Sequence, residues 1–156
     1  MKTSIYEHRS GLKVVPDDVI KSLSQMIESI EAELSKNTVT IINKAIKNKL
    51  AQEGWTGEYR LDPVSKITIT SYFSGIGLCL QTGNISRIYA DLLKLQTLYV
   101  KGKISSGIII IPEQNAAKEL GSNMANADRL IRELPIFNQV ITMPMVIIAF
   151  DKMEES

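Results

Sequence analysis

Residues Gly107-Ile108-Ile109-Ile110-Ile111 form a wholly apolar run, and Pro112 ends it. A strand built from such a run offers no polar side to water, so it must be covered on both faces. Helices packed on either side of a parallel or mixed sheet give that cover. The C-terminal run Pro144-Met145-Val146-Ile147-Ile148-Ala149-Phe150 makes the same demand. Together they set the class as α/β.

The rest of the chain supplies the covering helices. Pro16-Asp17-Asp18 gives a helix start, and Val19, Ile20, Leu23, Met26, Ile27, Ile30 and Leu34 recur at spacings of three and four. This predicts an amphipathic helix over 17–35. A second is predicted over 38–53, with Val39, Ile42, Ala45, Ile46 and Leu50 on one side and Gly54 as its stop. Two helices thus precede any convincing strand. Residues 66–72 alternate apolar and polar side chains, and Phe73-Ser74-Gly75 turns into 76–81, which reads as a β-hairpin. Gly75 and Gly77 mark either a bulge or a close approach of backbone or ligand. Asn84 is read as the cap of a helix reaching Val100 through Ile88, Leu92 and Leu95. Shorter helices are expected over 115–120 and 125–134. Strand 76–81, helix 84–100 and strand 107–111 form a βαβ unit, expected to be right-handed. The expected architecture is a single domain, residues 1–156, with a mixed sheet, two N-terminal helices and this unit.

Composition removes several classes of function. The chain has 156 residues, 44% hydrophobic and 22% charged, which fits a globular domain rather than a disordered or fibrous one. No apolar run approaches the roughly 20 residues of a membrane span, and the start lacks the apolar core of a signal peptide. A soluble, cytoplasmic protein is expected. One cysteine and one histidine cannot build a Cys/His zinc site, a redox pair or an internal disulfide, while carboxylate metal sites remain open. Net charge is +1, yet residues 36–105 carry ten basic and four acidic side chains, so a basic middle separates acidic ends. Such a band suits an anionic partner or an ordinary solvated surface. There is no phosphate-cradling glycine loop, dinucleotide fingerprint, serine elbow or HExxH helix. His8 is expected to be an ordinary surface side chain.

The informative stretch runs from Gly75 to Pro112. A short strand ends at Gln81, Thr82-Gly83-Asn84-Ile85-Ser86-Arg87 opens a helix, Tyr89-Ala90-Asp91-Leu92-Leu93-Lys94 lies inside it, and the apolar strand follows. Here the chain resembles the BglII-like branch of the type II restriction endonucleases. Met26-Ile27-Glu28-Ser29-Ile30-Glu31-Ala32-Glu33, the pair Gly54-Trp55 and the strand Met145 to Phe150 extend the resemblance over most of residues 26–151. It implies the PD-(D/E)XK fold, a magnesium-dependent cut of DNA, and action as a twofold homodimer on palindromic sites. Two carboxylates on adjacent strands hold a hard cation through oxygen, and a third residue orients the attacking water.

Residue by residue, the resemblance places the aspartate seat at Thr70, the acid at Cys79 and the third residue at Gln81. Gln81 matches this branch; Thr70 and Cys79 do not. A hydroxyl and a thiol replace two carboxylates, and neither holds magnesium well. Glu31 or Glu33 would match the accessory glutamate of some relatives. Cys79 reads otherwise as a small buried apolar residue. Arg87, Asp91 and Lys94 read either as a helical ion-pair ladder or as phosphate contacts beside a helix start at Asn84. Lys44, Lys47 and Lys49 read as a solvated face or a strip against a DNA backbone.

Three functions stay open. The first is a degenerate nuclease fold that binds double-stranded DNA, or a related nuclease or regulatory protein, with no cofactor. The second is an active magnesium endonuclease with relocated acids. The third is a protein-interaction module without DNA binding.

Overall fold

The computed structural model describes residues 1–155. Its strands are β1 (Lys2–His8), β2 (Tyr59–Arg60), β3 (Thr68–Ile69), β4 (Ser71–Phe73), β5 (Ile76–Leu80), β6 (Ser106–Pro112) and β7 (Met145–Asp151). Its helices are α1 (Gly11–Val14), α2 (Asp17–Glu28), α3 (Val39–Gln52), α4 (Arg87–Val100), α5 (Gln114–Leu120) and α6 (Ala127–Glu133), with a 3-10 turn over Leu134–Phe137. Five strands make one mixed sheet in the order β1-β7-β6-β5-β4; β2 and β3 form a separate ribbon. The centre, β5-β6-β7, is parallel, and β4 and β1 close the edges antiparallel.

The apolar strands are covered as their composition requires. Leu78, Ile108, Ile110, Val146, Ile148 and Phe150 face α2 and α3 on one side. Cys79, Ile109, Ile111, Met145, Ile147 and Ala149 face α4 and α6 on the other. Alternate residues of one strand thus enter two cores, the period-2 geometry of a pleated strand. All seven residues of β6 are buried. The hairpin β4–β5 turns at Ser74 and Gly75, where Gly75 has φ +80°, a conformation glycine adopts at little cost. Gly77 serves packing: a Cβ there would stand 2.9 Å from the Leu95 side chain and 3.1 Å from that of Ile104.

The N-terminus departs from expectation. A strand, β1, precedes the helices and pairs with β7 from Lys2 opposite Asp151 to His8 opposite Met145. An edge strand with one partner and a partly exposed side needs no apolar run, so its sequence signal is weak. His8 is buried, 7% exposed, and its Nε2–H donates to the Ile141 carbonyl at 2.6 Å, so it is not a surface side chain.

Helix α2 ends at Glu28, seven residues before the expected stop. The Ser29 hydroxyl donates to the Met26 carbonyl at 2.7 Å, and the chain leaves the helical path. Ile30 stays buried with Ala32 and Leu34 packed partly against the same core, while Glu31 and Glu33 face out. Alternation in this non-helical segment had extended the apparent helical pattern. Helix α4 starts at Arg87 rather than Asn84. The Asn84 carboxamide oxygen accepts the Ser86 amide and hydroxyl, a local turn that competes with capping.

Candidate functional site

A cleft of about 500 Å³ opens where β5 ends, between α3, α4 and the β2–β3 ribbon. Thr70, Cys79 and Gln81 all line it. The hairpin register and the β5 pleat bring together three positions that lie apart in sequence.

Each is already engaged. The Thr70 hydroxyl oxygen accepts the Leu80 amide at 3.0 Å. Cys79 is 2% exposed, and burial pushes its thiol well above the usual range, with the nearby Asp91 charge adding to it. Gln81 donates from Nε2 to Asp91 Oδ2 at 2.5 Å and accepts the Gly83 amide at its Oε1 at 2.8 Å. Thr82 donates to Asn43 at 2.8 Å, tying the end of β5 to α3.

Asp91 is the cleft residue that the sequence concealed. It is 8% exposed, and burial holds its carboxyl above the usual carboxylate range despite the Gln81 amide, Lys94 and Arg87, which pull it down. It shares the inward face of α4 with Ile88, Leu92, Leu95 and Leu98. That spacing could have marked it as buried; its flanking cations instead suggested a ladder. The ladder is not formed. Among the described residues, ion pairs join Lys2 to Glu154, Arg129 to Glu133 and Lys152 to Glu119, and none includes Arg87, Asp91 or Lys94.

Lys47 of α3 and Arg87 and Lys94 of α4 line the cleft, with Glu58 beside them. Lys44 is exposed on α3 and outside the lining, and Asn84 is likewise exposed and outside it. Glu31 and Glu33 stand exposed in the segment after α2, away from the cleft lining.

Magnesium does not fit the donors at the three seats. It takes a near-octahedral set of hard oxygens. A hydroxyl bound to backbone, a buried thiol and an amide tied to one carboxylate supply a poor set. Among the described residues no three His, Cys, Asp or Glu side chains gather in a metal-holding group.

A two-faced mixed sheet with this cleft at the strand ends is the architecture of a restriction-endonuclease-like protein. The sequence model of the restriction endonuclease BglII/BglIII family matches residues 3–150, and the chain belongs to that family. Restriction endonuclease BglII complexed with a DNA 16-mer superposes with a TM-score of 0.81 at 14% identity, covering 100% of this chain and 79% of that one. Free BglII gives 0.77 at 15% identity, covering 100% and 82%. No curated protein matches the chain in sequence. No helix among the described residues is long and apolar enough to cross a membrane.

Proposed function

We propose that this chain binds double-stranded DNA without cutting it by the magnesium chemistry of its family. The observation that carries the reading is the state of the three seats: an occupied hydroxyl at Thr70, a buried thiol at Cys79, and Gln81 tied to Asp91. Replacing two ionised acids removes repulsion against phosphate at the strand ends. Lys47, Arg87 and Lys94 then face the cleft with no carboxylate within ion-pair distance among the described residues, free to meet a DNA backbone. Lys44 and Asn84, exposed nearby in sequence, extend that contact. No cofactor is needed for binding of this kind.

The protein works as a homodimer in this reading. Leu93 and Val100 lie exposed on the outer side of α4, and Ile136, Phe137 and Val140 lie exposed in the segment after α6. Tyr89 of α4 meets Phe137 edge to face at 5.9 Å, which brings the two segments side by side. A DNA partner puts the protein in the cytoplasm, and a related nuclease or regulatory chain would be a further partner.

The expected outcome of incubation with plasmid DNA and magnesium or manganese is an intact plasmid, and that of a gel shift at two salt concentrations is binding that weakens with salt. Binding insensitive to salt, or none, would instead favour a protein-interaction module. One observation favours a second reading, an active nuclease: Asp91 brings a carboxylate to the cleft from α4, with Glu58 lining the same space. Scission by the wild type that disappears in Asp91→Asn would establish it.

A further inference from the structure

We propose that the DNA path does not end at the cleft but continues along α4 to a second basic hollow at the β2–β3 ribbon. This inference rests on the DNA-binding reading and extends it to residues outside the cleft. Arg87, Lys94 and Lys101 are spaced by seven, close to two helical turns, so they fall in one stripe. Lys101 prolongs the helix, with φ −73° and its amide donating to the Thr97 carbonyl. At 1.5 Å per residue the stripe is about 21 Å long.

Arg87 and Lys94 line the cleft; Lys101 lines a separate hollow of about 380 Å³ with Arg60, Lys103 and Asp62. The hollow therefore takes over where the cleft stops. Its three cations face one carboxylate, and Asp62 Oδ1 already accepts the Val64 and Ser65 amides at 2.8 and 2.7 Å. No ion pair among the described residues neutralises any of the stripe or hollow cations. Cations serving helix stability alone would be matched by acids three or four residues away on the exposed face. Asp91 is the only acid in α4, and it points inward to Gln81. The ribbon is held against the main sheet by Tyr59 stacked on Tyr72, ring centroids 4.8 Å apart. A straight stripe of that length meets only a few successive phosphates of one strand before the backbone winds away from it.

The test is fluorescence anisotropy of a labelled duplex of about 24 base pairs, about two turns, titrated with the full chain over a salt series. A variant carrying Lys101→Ala and Lys103→Ala is compared with a charge-matched control carrying Lys13→Ala and Lys118→Ala. All four lysines are exposed, so folding is preserved. The track variant is expected to bind about tenfold more weakly, with a log Kd against log salt slope shallower by about 2, equally on unrelated sequences. The control keeps a slope close to wild type. If track and control variants behave alike while Arg87→Ala weakens binding, the track is wrong and the cleft reading stands. If the wild type shows no salt-sensitive binding, both fall. A single-stranded probe that responds more strongly than duplex to the track variant would overturn the duplex assignment.

Discussion

Gln81 at the end of β5 and Asp91 one turn into α4 share a hydrogen bond of 2.5 Å in the lining of the cleft. The pair closes the βα junction, because Gln81 also accepts the Gly83 amide in the connecting loop. It also brings the cleft a carboxylate that the strand itself lacks. Burial raises the pKa of that carboxyl, so the folded state holds its proton more tightly than the unfolded chain does.

For Asp91, stability is therefore greatest in acid and falls as pH rises through a window running from the usual carboxylate range to the raised folded value. Above that window the penalty is constant. Asp91→Asn keeps a hydrogen-bonding partner for Gln81 and removes the titrating group, so its stability is expected to vary less with pH over this window. Urea unfolding at a series of pH values, wild type against variant, measures the difference.

Restoring the family acids tests whether Thr70 and Cys79 occupy their seats. In the double variant Thr70→Asp with Cys79→Glu, divalent metal at about a hundred times its Kd should stabilise by about 2.7 kcal/mol. That raises the melting temperature by about 5–10 °C for a domain of this size. The parent should not respond to the same metal. Without metal the double variant melts below the parent, since a carboxylate replaces a thiol that is 2% exposed.

His8→Ala removes a buried donor and leaves the Ile141 carbonyl without its partner. A loss of about 1–3 kcal/mol is expected, with His8→Gln recovering part of it through its amide donor. Denaturant midpoints of the two variants supply the comparison.

Gly11 packs against the backbone of β7: a Cβ there would lie 1.9 Å from the Met145 carbonyl oxygen. Gly11→Ala should cost about 3 kcal/mol or more, because backbone cannot move aside. Gly102, with φ +72° and open space around it, should cost about 1 kcal/mol when changed to Ala. Unfolding curves of the two variants separate contact from strain.

Sedimentation velocity should show a dimer that becomes monomeric in the variant Leu93→Glu with Val140→Glu. Both side chains are exposed apolar groups, so the charges disturb association rather than the core.

The sequence was most readable where one physical demand dominated. The run Ile108 to Ile111 suited a doubly covered strand and forms one, and the spacing in α3 and α4 gave each helix its buried face. It was least readable where two patterns overlapped. Ile30, Ala32 and Leu34 prolonged an apparent helix because segment and helix pack on one core. Lys2–His8 left little trace because an edge strand borrows its apolar partner from β7. Thr70, Cys79 and Gln81 were placed by the family resemblance rather than by any local pattern, and all three line one cleft. Asp91 escaped because its flanking cations implied surface pairing, whereas its depth depends on how α4 lies over β5.

The pairing of the first strand with the last also sets a schedule for folding. The parallel pair β5–β6 can assemble with the helix between them while β7 is still being synthesised, but β1 must wait for β7. Closing so long a loop is slow, so this edge is completed late. Until then β7 presents an apolar border with unmatched amides, open to a first strand from another molecule. Crowded nascent chains would therefore exchange their first strands more readily than any other element.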